Sequence, residues 1–222
     1  MLNGIKIIMV TNKIMNLPSF DKCTIAVLGL GYVGLPLAIE LAKARICVSS
    51  NIKLKRKVIG FDINKTRINE LNNNFDKTKE FQKEQLENLK EIIFTDNKEL
   101  ISDADVFIIT VPTPIDIAKI PYLGHLKSAS KIAGEAIKKR KETYPEKSQP
   151  VIIYESTVYP GATDEVCIIE IEKASGFDSN KDFFYGYSPE RINPGDNKLK
   201  LTNIVKITSG NNSESAEWID NF

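Results

Sequence analysis

The chain predicts an α/β fold of the doubly wound, Rossmann-like kind: a mostly parallel sheet with helices on both faces. Three observations carry that prediction. After a tail of about twenty residues, apolar runs of strand length alternate with stretches of helix length to the end of the chain, the order of repeated βαβ units. Several runs, among them Val106-Phe-Ile-Ile and Val151-Ile-Ile, are unbroken apolar, as parallel strands buried on both faces are. Finally, Thr24-Ile-Ala-Val-Leu leads directly into Gly29-x-Gly31-x-x-Gly34 and then a helix.

The elements follow in order. The first strand spans 24–28. Gly29 permits the tight turn after it, Gly31 lets backbone approach a ligand without a Cβ in the way, and Gly34 lets the helix at 33–44 pack closely on the strand. Pro36 fits only in the first turn of that helix, which pins its start. Such a turn, opening on unpaired N–H groups and the positive end of a helix dipole, is what a dinucleotide pyrophosphate needs. The second strand spans 58–61, with Asp62 at its carboxyl end. A carboxylate there accepts hydrogen bonds from both ribose hydroxyls of an adenosine and repels a 2′-phosphate, so the cofactor is NAD rather than NADP.

Asp62 lies 33 positions after Gly29, against a usual gap of roughly 20. The excess falls in 45–57, predicted as a surface insertion. Its Lys53, Lys55, Arg56 and Lys57 read as a solvated loop, with a polyanion contact as the alternative. Further strands are expected at 92–94, 105–111, 151–154, 184–187 and 204–207. Helices are expected at 65–73, 79–89, 97–102, 123–140 and 163–174, with a last one starting near Ser213. The polar, basic stretch 138–149 is expected to be a helix end and exposed loop. The organisation is thus a tail at 1–22, a dinucleotide-binding domain at 23–212, and at 213–222 the start of a last helix.

Composition narrows the class. Of 222 residues, 42% are hydrophobic and 27% charged, with a net charge of +1; this is ordinary for a soluble globular protein and gives no sign of nucleic-acid or membrane targeting. No run approaches the ~18 apolar residues of a membrane span. The apolar patch 5–10 has polar residues after it and no small-residue cleavage site, so no signal peptide is expected. Cys23, Cys47 and Cys167 form an odd set without metal-ligand spacing, which suits a reducing cytoplasm and implies no metal site. The one histidine, His125, is expected on the surface at a helix start, leaving no histidine proton relay.

Three loops at the carboxyl ends of strands carry unusual chemistry, and ligands in such a fold sit there. Thr110-Val-Pro-Thr-Pro114 has two prolines that force extended backbone around Thr113. Tyr154-Glu-Ser-Thr-Val-Tyr-Pro-Gly161 offers two hydroxyls and an acid, and Tyr187-Ser-Pro-Glu-Arg-Ile-Asn-Pro-Gly-Asp196 holds opposite charges between prolines. Singly each loop has a plain structural reading: helix caps, an ion pair for Glu155, Pro-Gly turns. All three at one end of one sheet, beside a dinucleotide site, point to function.

Together these residues resemble the UDP-glucose/GDP-mannose dehydrogenase family. The marks are Gly29-Leu-Gly-Tyr-Val-Gly-Leu-Pro36, Val111-Pro-Thr-Pro114, Glu155-Ser-Thr157 with Pro160-Gly161, and Ser188-Pro-Glu190. The fuller strings are most similar to the branch that oxidises UDP-N-acetylhexosamines for capsule, Vi-type and O-antigen polysaccharides. The resemblance implies oxidation of a carbon-six alcohol to a carboxylate in two steps, each reducing one NAD, with a UDP-sugar as substrate. It implies that Gly29, Leu30, Gly31, Tyr32, Val33 and Gly34 hold the pyrophosphate, that Asp62 and Arg67 flank the adenosine ribose, and that Val111 and Thr113 line the nicotinamide-side ribose. Ser156 and Thr157 would approach the nicotinamide and the reacting carbon. Glu190 would be the active-site carboxylate, with Arg191 and Asn193 near substrate, and Thr157 and Glu190 would orient a water and handle its proton. The family's catalytic cysteine, its lysine and its dimer-forming central helix belong beyond residue 222, so the resemblance implies that the helix starting in 213–222 links to a further, central domain. The chain is therefore expected to be a cofactor-binding half, inactive alone, with a homodimer only for the full-length enzyme. The alternative is a non-catalytic NAD-binding module paired with a separate remainder.

Overall fold

The computed structural model describes residues 16–19, 21–43, 45–47, 51–89, 91–191 and 205–222. Seven strands form one sheet: β1 (Thr24–Leu28), β2 (Lys57–Phe61), β3 (Ile92–Thr95), β4 (Val106–Ile109), β5 (Val151–Tyr154), β6 (Phe184–Tyr187) and β7 (Ser209–Gly210). Their order is β3-β2-β1-β4-β5-β6-β7, with β7 alone antiparallel to its neighbour. The helices are α1 (Gly34–Ala42), α2 (Lys65–Asn72), α3 (Lys83–Glu87), α4 (Lys98–Ile101), α5 (Gly124–Thr143), α6 (Ile169–Ser175) and α7 (Ser213–Asn221). The doubly wound, mostly parallel sheet with helices on both faces is therefore as the apolar alternation predicts.

Period-two alternation divides the core between the two faces of the sheet. On one face Ala26, Leu28, Ile59, Phe107, Ile109 and Ile152 pack against α5 and α6 through residues such as Ala133, Ile137 and Ile171. On the other, Ile25, Val27, Val58, Val106, Ile108 and Ile153 meet Leu35 and Ile39 of α1, Ile68 and Leu71 of α2, and Trp218 and Ile219 of α7. Burial on both faces is what makes these strands read as continuous apolar runs.

Several boundaries differ from the sequence expectation, each for a physical reason. The helix predicted at 79–89 is only α3, because the Asp76 carboxylate gathers the N–H groups of Thr78, Glu80 and Phe81 into a turn. The helix predicted at 163–174 opens as a π-helical turn, Thr163–Ile168, before α6 continues it to Ser175. Gly176, at φ 76°, ends it in the left-handed conformation that glycine adopts freely. The strand predicted at 204–207 is not formed at 205–207, where Val205 is 82% exposed; pairing begins only at Ser209, opposite Tyr187. Ile204, the predicted helix end Ala44, Asn193 and most of the 1–22 tail lie outside the described residues.

Two basic stretches read as solvated are partly buried. In 45–57 an antiparallel bridge joins Ile46 to Lys53, Lys57 already belongs to β2, and Arg56 is buried with its guanidinium 4.2 Å from the centre of the Phe222 ring. Arg140, expected in an exposed stretch, is 2% exposed and pairs with Asp105 at 2.5 Å. The last helix also packs: Trp218 stacks on Phe222 and its indole N–H donates to the Pro18 carbonyl at 2.8 Å.

Candidate dinucleotide site

The first turn of the site is built from glycine and threonine. Gly29 leaves β1 at φ 98°, a region closed to most residues with a Cβ, and its N–H donates to the Phe61 carbonyl at 2.9 Å. A Cβ on Gly34 would lie 1.8 Å from the Gly29 oxygen and 2.4 Å from the Thr110 hydroxyl. The start of α1 therefore touches the turn, and only glycine allows it. Gly31 differs: a Cβ there would meet nothing within 4 Å, so the loop faces open space. No side chain caps α1; since the Leu35 N–H donates to the Gly31 carbonyl at 3.1 Å and Pro36 has none, the amides of the turn up to Gly34 are the ones an anion would meet.

Thr110 explains how the turn keeps its shape. Its hydroxyl donates to the Gly29 carbonyl at 2.7 Å, with the Leu28 carbonyl at 3.1 Å. The sequence places Thr110 at the head of a carboxyl-end loop without giving it a role of its own, although a threonine closing an apolar run is the available signal. On the far side, the Asp62 carboxylate accepts from the Leu30 N–H at 2.8 Å and the Asn64 N–H at 2.9 Å. Arg67 donates through Nε to the Leu30 carbonyl at 2.8 Å and sits 2.8 Å from Asp76. Arg67 is thereby a brace between the glycine turn and α2, with its charge answered by a carboxylate the sequence left without a role. Burial pushes the Asp76 carboxyl up, but hydrogen bonds from Thr78 and Arg67 outweigh it, and the net shift is downward.

The opposite wall is two loops tied together. The Ser156 hydroxyl donates to the Val111 carbonyl at 2.6 Å, and the Thr113 hydroxyl donates to the Thr157 carbonyl at 2.6 Å. Ser156 thus spends its hydroxyl on positioning, whereas Thr157 is exposed. Glu155 is buried and its ammonium partner is Lys206. Burial pushes the Glu155 carboxyl up, Lys206 draws it back, and Glu190 nearby adds to the rise. The Arg191 N–H donates to Glu190 Oε1 at 2.6 Å.

These walls enclose one cleft of about 1040 Å³ beyond the carboxyl ends of the strands, and the candidates Gly29, Leu30, Gly31, Tyr32, Val33, Asp62, Arg67, Val111, Thr113, Ser156, Thr157 and Glu190 all line it. Gly34 lies directly behind. Arg191 is exposed and does not line it, and Asn193 is outside the described residues. His125 is exposed as expected, yet it also borders the cleft, edge-on to Tyr122 at 5.4 Å. None of the three cysteines lines the cleft. All are buried, and burial pushes the Cys23 thiol up to about 12 and the Cys167 thiol up to about 11, far from the thiolate a nucleophile needs. A dinucleotide fits this arrangement: open space over Gly31, the glycine turn at the start of α1, and a carboxylate at the end of β2.

Comparison with known proteins agrees with the geometry. Residues 23–221 match the NAD binding domain of the UDP-glucose/GDP-mannose dehydrogenase family. The chain is 48% identical over 198 residues to the UDP-N-acetyl-D-glucosamine 6-dehydrogenase of Pseudomonas aeruginosa, covering 89% of this chain and 42% of that protein. It is 46% identical over 200 residues to the enzyme of the same name from Salmonella typhi, covering 90% and 42%. In fold it resembles the NDP-N-acetyl-D-galactosaminuronic acid dehydrogenase of Methanosarcina mazei Go1, with a TM-score of 0.73 at 24% identity over 90% of this chain and 41% of that one. The chain thus spans about two-fifths of the length of the curated relatives it matches. It belongs to the UDP-glucose/GDP-mannose dehydrogenase family, and its sheet, glycine turn and cleft are that family's NAD-binding domain.

Proposed function

We propose that this chain is the cofactor-binding part of an NAD-dependent enzyme that oxidises the carbon-six alcohol of a UDP-N-acetylhexosamine to the acid, for surface polysaccharide synthesis in the cytoplasm. The observation that carries the proposal is that all four sequence motifs converge on one cleft in a chain this similar to two UDP-N-acetyl-D-glucosamine 6-dehydrogenases. The turn from Gly29 to Gly34 would hold the pyrophosphate at the uncapped start of α1. Asp62 would exchange its Leu30 and Asn64 amides for ribose hydroxyls or accept both together, and Arg67 would keep the turn in place. Val111 and Thr113 would border the second ribose, with Ser156 and Thr157 at the nicotinamide.

Bound NAD supplies the hydride acceptor for both oxidations. The Thr157 hydroxyl would orient the water that releases the acid, and a Glu190 carboxylate oxygen would take its proton. The Arg191 N–H on Oε1 fixes how that carboxylate is presented. Arg191 and Asn193 would serve the substrate, and the homodimer belongs to the complete enzyme. The buried cysteines favour a chain that binds the cofactor without turning over, since the second oxidation needs a thiolate at the aldehyde.

The test uses two assays on one sample: calorimetry with NAD, and absorbance of NADH after adding UDP-N-acetylglucosamine or UDP-N-acetylgalactosamine. This chain is expected to bind NAD and to form no NADH with either sugar. Appreciable NADH would contradict the division of labour proposed.

A further inference from the structure

Glu155 and Lys206 are 51 residues apart in sequence, and the Lys206 ammonium donates to the Glu155 carboxylate. Glu155 is 8% exposed, so the pair is unlike the solvated ion pairs that contribute almost nothing. A carboxylate this buried is costly without a cation beside it. Glu155 also has a particular place in the chain. Its N–H donates to the Ile109 carbonyl at 2.9 Å, and the next two residues are Ser156 and Thr157, which make the ties to Val111 and Thr113. Lys206 likewise lies just after Val205, whose carbonyl accepts from Arg191 Nη1 at 3.4 Å. Two contacts therefore join the chain entering β7 to its neighbours: Lys206 to the loop after β5 and Val205 to the Glu190–Arg191 loop.

We propose that Lys206 is a positioning residue for the nicotinamide end of the cleft: by holding the Glu155 carboxylate it fixes where Ser156 and Thr157 stand. The inference rests on the assignment of the cleft to NAD. It makes a selective claim, because the adenosine end is held by other contacts: Asp62 on Leu30 and Asn64, Arg67 on Leu30, and Thr110 on Gly29. None of these passes through Glu155 or Lys206. Loss of the pair should loosen the grip on the nicotinamide half and leave the ADP half alone.

Calorimetry with NAD and with ADP, which lacks both the nicotinamide and its ribose, reads the two halves separately. Lys206→Met is expected to weaken NAD about fivefold, the loss of one modest polar contact, with ADP affinity unchanged. Lys206→Arg, which keeps a cation, should restore NAD binding. Glu155→Gln keeps the volume and removes the charge, so it should show the same selective loss and carries the test if Lys206→Met does not fold. Unchanged NAD affinity in Lys206→Met and Glu155→Gln would overturn the proposal. Equal weakening of NAD and ADP would overturn it too, since the pair would then only support the fold. A wild-type chain that binds neither ligand would overturn the cofactor assignment itself, and this inference with it.

Discussion

Gly31 and Gly34 belong to one motif, yet the structure asks opposite things of them. A Cβ on Gly34 meets backbone at 1.8 Å, whereas one on Gly31 meets nothing. Gly34→Ala should therefore cost stability, about 3 kcal/mol or more at the upper end of overpacking. Gly31→Ala should melt within about 0.5 kcal/mol of wild type but bind NAD about 1.5–3 kcal/mol more weakly, the worth of a charge-assisted hydrogen bond lost when the phosphates are held off. Denaturant melts with NAD titrations on both variants separate the two roles; a Gly31→Ala chain with normal affinity would remove the pyrophosphate from this loop. The glycines and Asp62 were legible in sequence because each answers a local demand of the turn or the strand end. Thr110 and Lys206 were not, since their partners Gly29 and Glu155 are distant in sequence, and Asp76 was not, since only the turn after α2 brings its carboxylate back onto Arg67.

Asp76 also gives the residue scale a pH dependence. Its carboxyl is lowered in the fold, so the folded state holds its proton less readily than the unfolded chain. The stability it contributes is present above the unfolded value, about 3.9, and is lost as pH falls through the lower folded value. In acid melts, the stability advantage of wild type over Asp76→Asn should hold at neutral pH and shrink below about pH 4. An advantage that stays constant into strong acid would mean that the Arg67 pair does not depress Asp76.

Among the elements, α5 shows how a charge is used to hold a sheet. Arg140 donates to the Ser148 carbonyl at 2.7 Å and to Asp105, whose other oxygen accepts from the Thr24 N–H at 2.9 Å. The helix is thereby tied to the starts of β1 and β4, at the end of the sheet away from the cleft. Arg140→Met should cost about 3 kcal/mol, because it strands the Asp105 carboxylate. The double variant with Asp105→Asn should recover part of that loss. Additive losses in chemical denaturation would mean that the two residues do not act as a pair. Charge patterning could not reveal this, since Arg140 sits in a basic run whose other members are solvated; burial of one member is a tertiary fact. The same holds for Arg56, which the Phe222 ring covers from the far end of the chain.

At the scale of the whole molecule, the strand order places β1 between β2 and β4, so the chain leaves β1 toward one edge and returns to build the other. The reversal opens a crevice at the carboxyl ends of β1 and β4, where α/β sheets take their ligands. Apolar periodicity made the six parallel strands and the carboxyl-end loops legible. It could not supply the short antiparallel β7, whose two residues pair with β6 only because α7 packs Trp218 and Ile219 under the sheet. On the proposed function NAD sits in this crevice, with its pyrophosphate on the glycine turn and its nicotinamide against the loop after β5. The most direct measurement is an amide NMR titration of the chain with NAD. The account predicts saturable shifts concentrated at 29–34, 62, 110–114 and 155–157, with NADP producing them only at higher concentration. Shifts confined to other surfaces, or none at millimolar NAD, would contradict it.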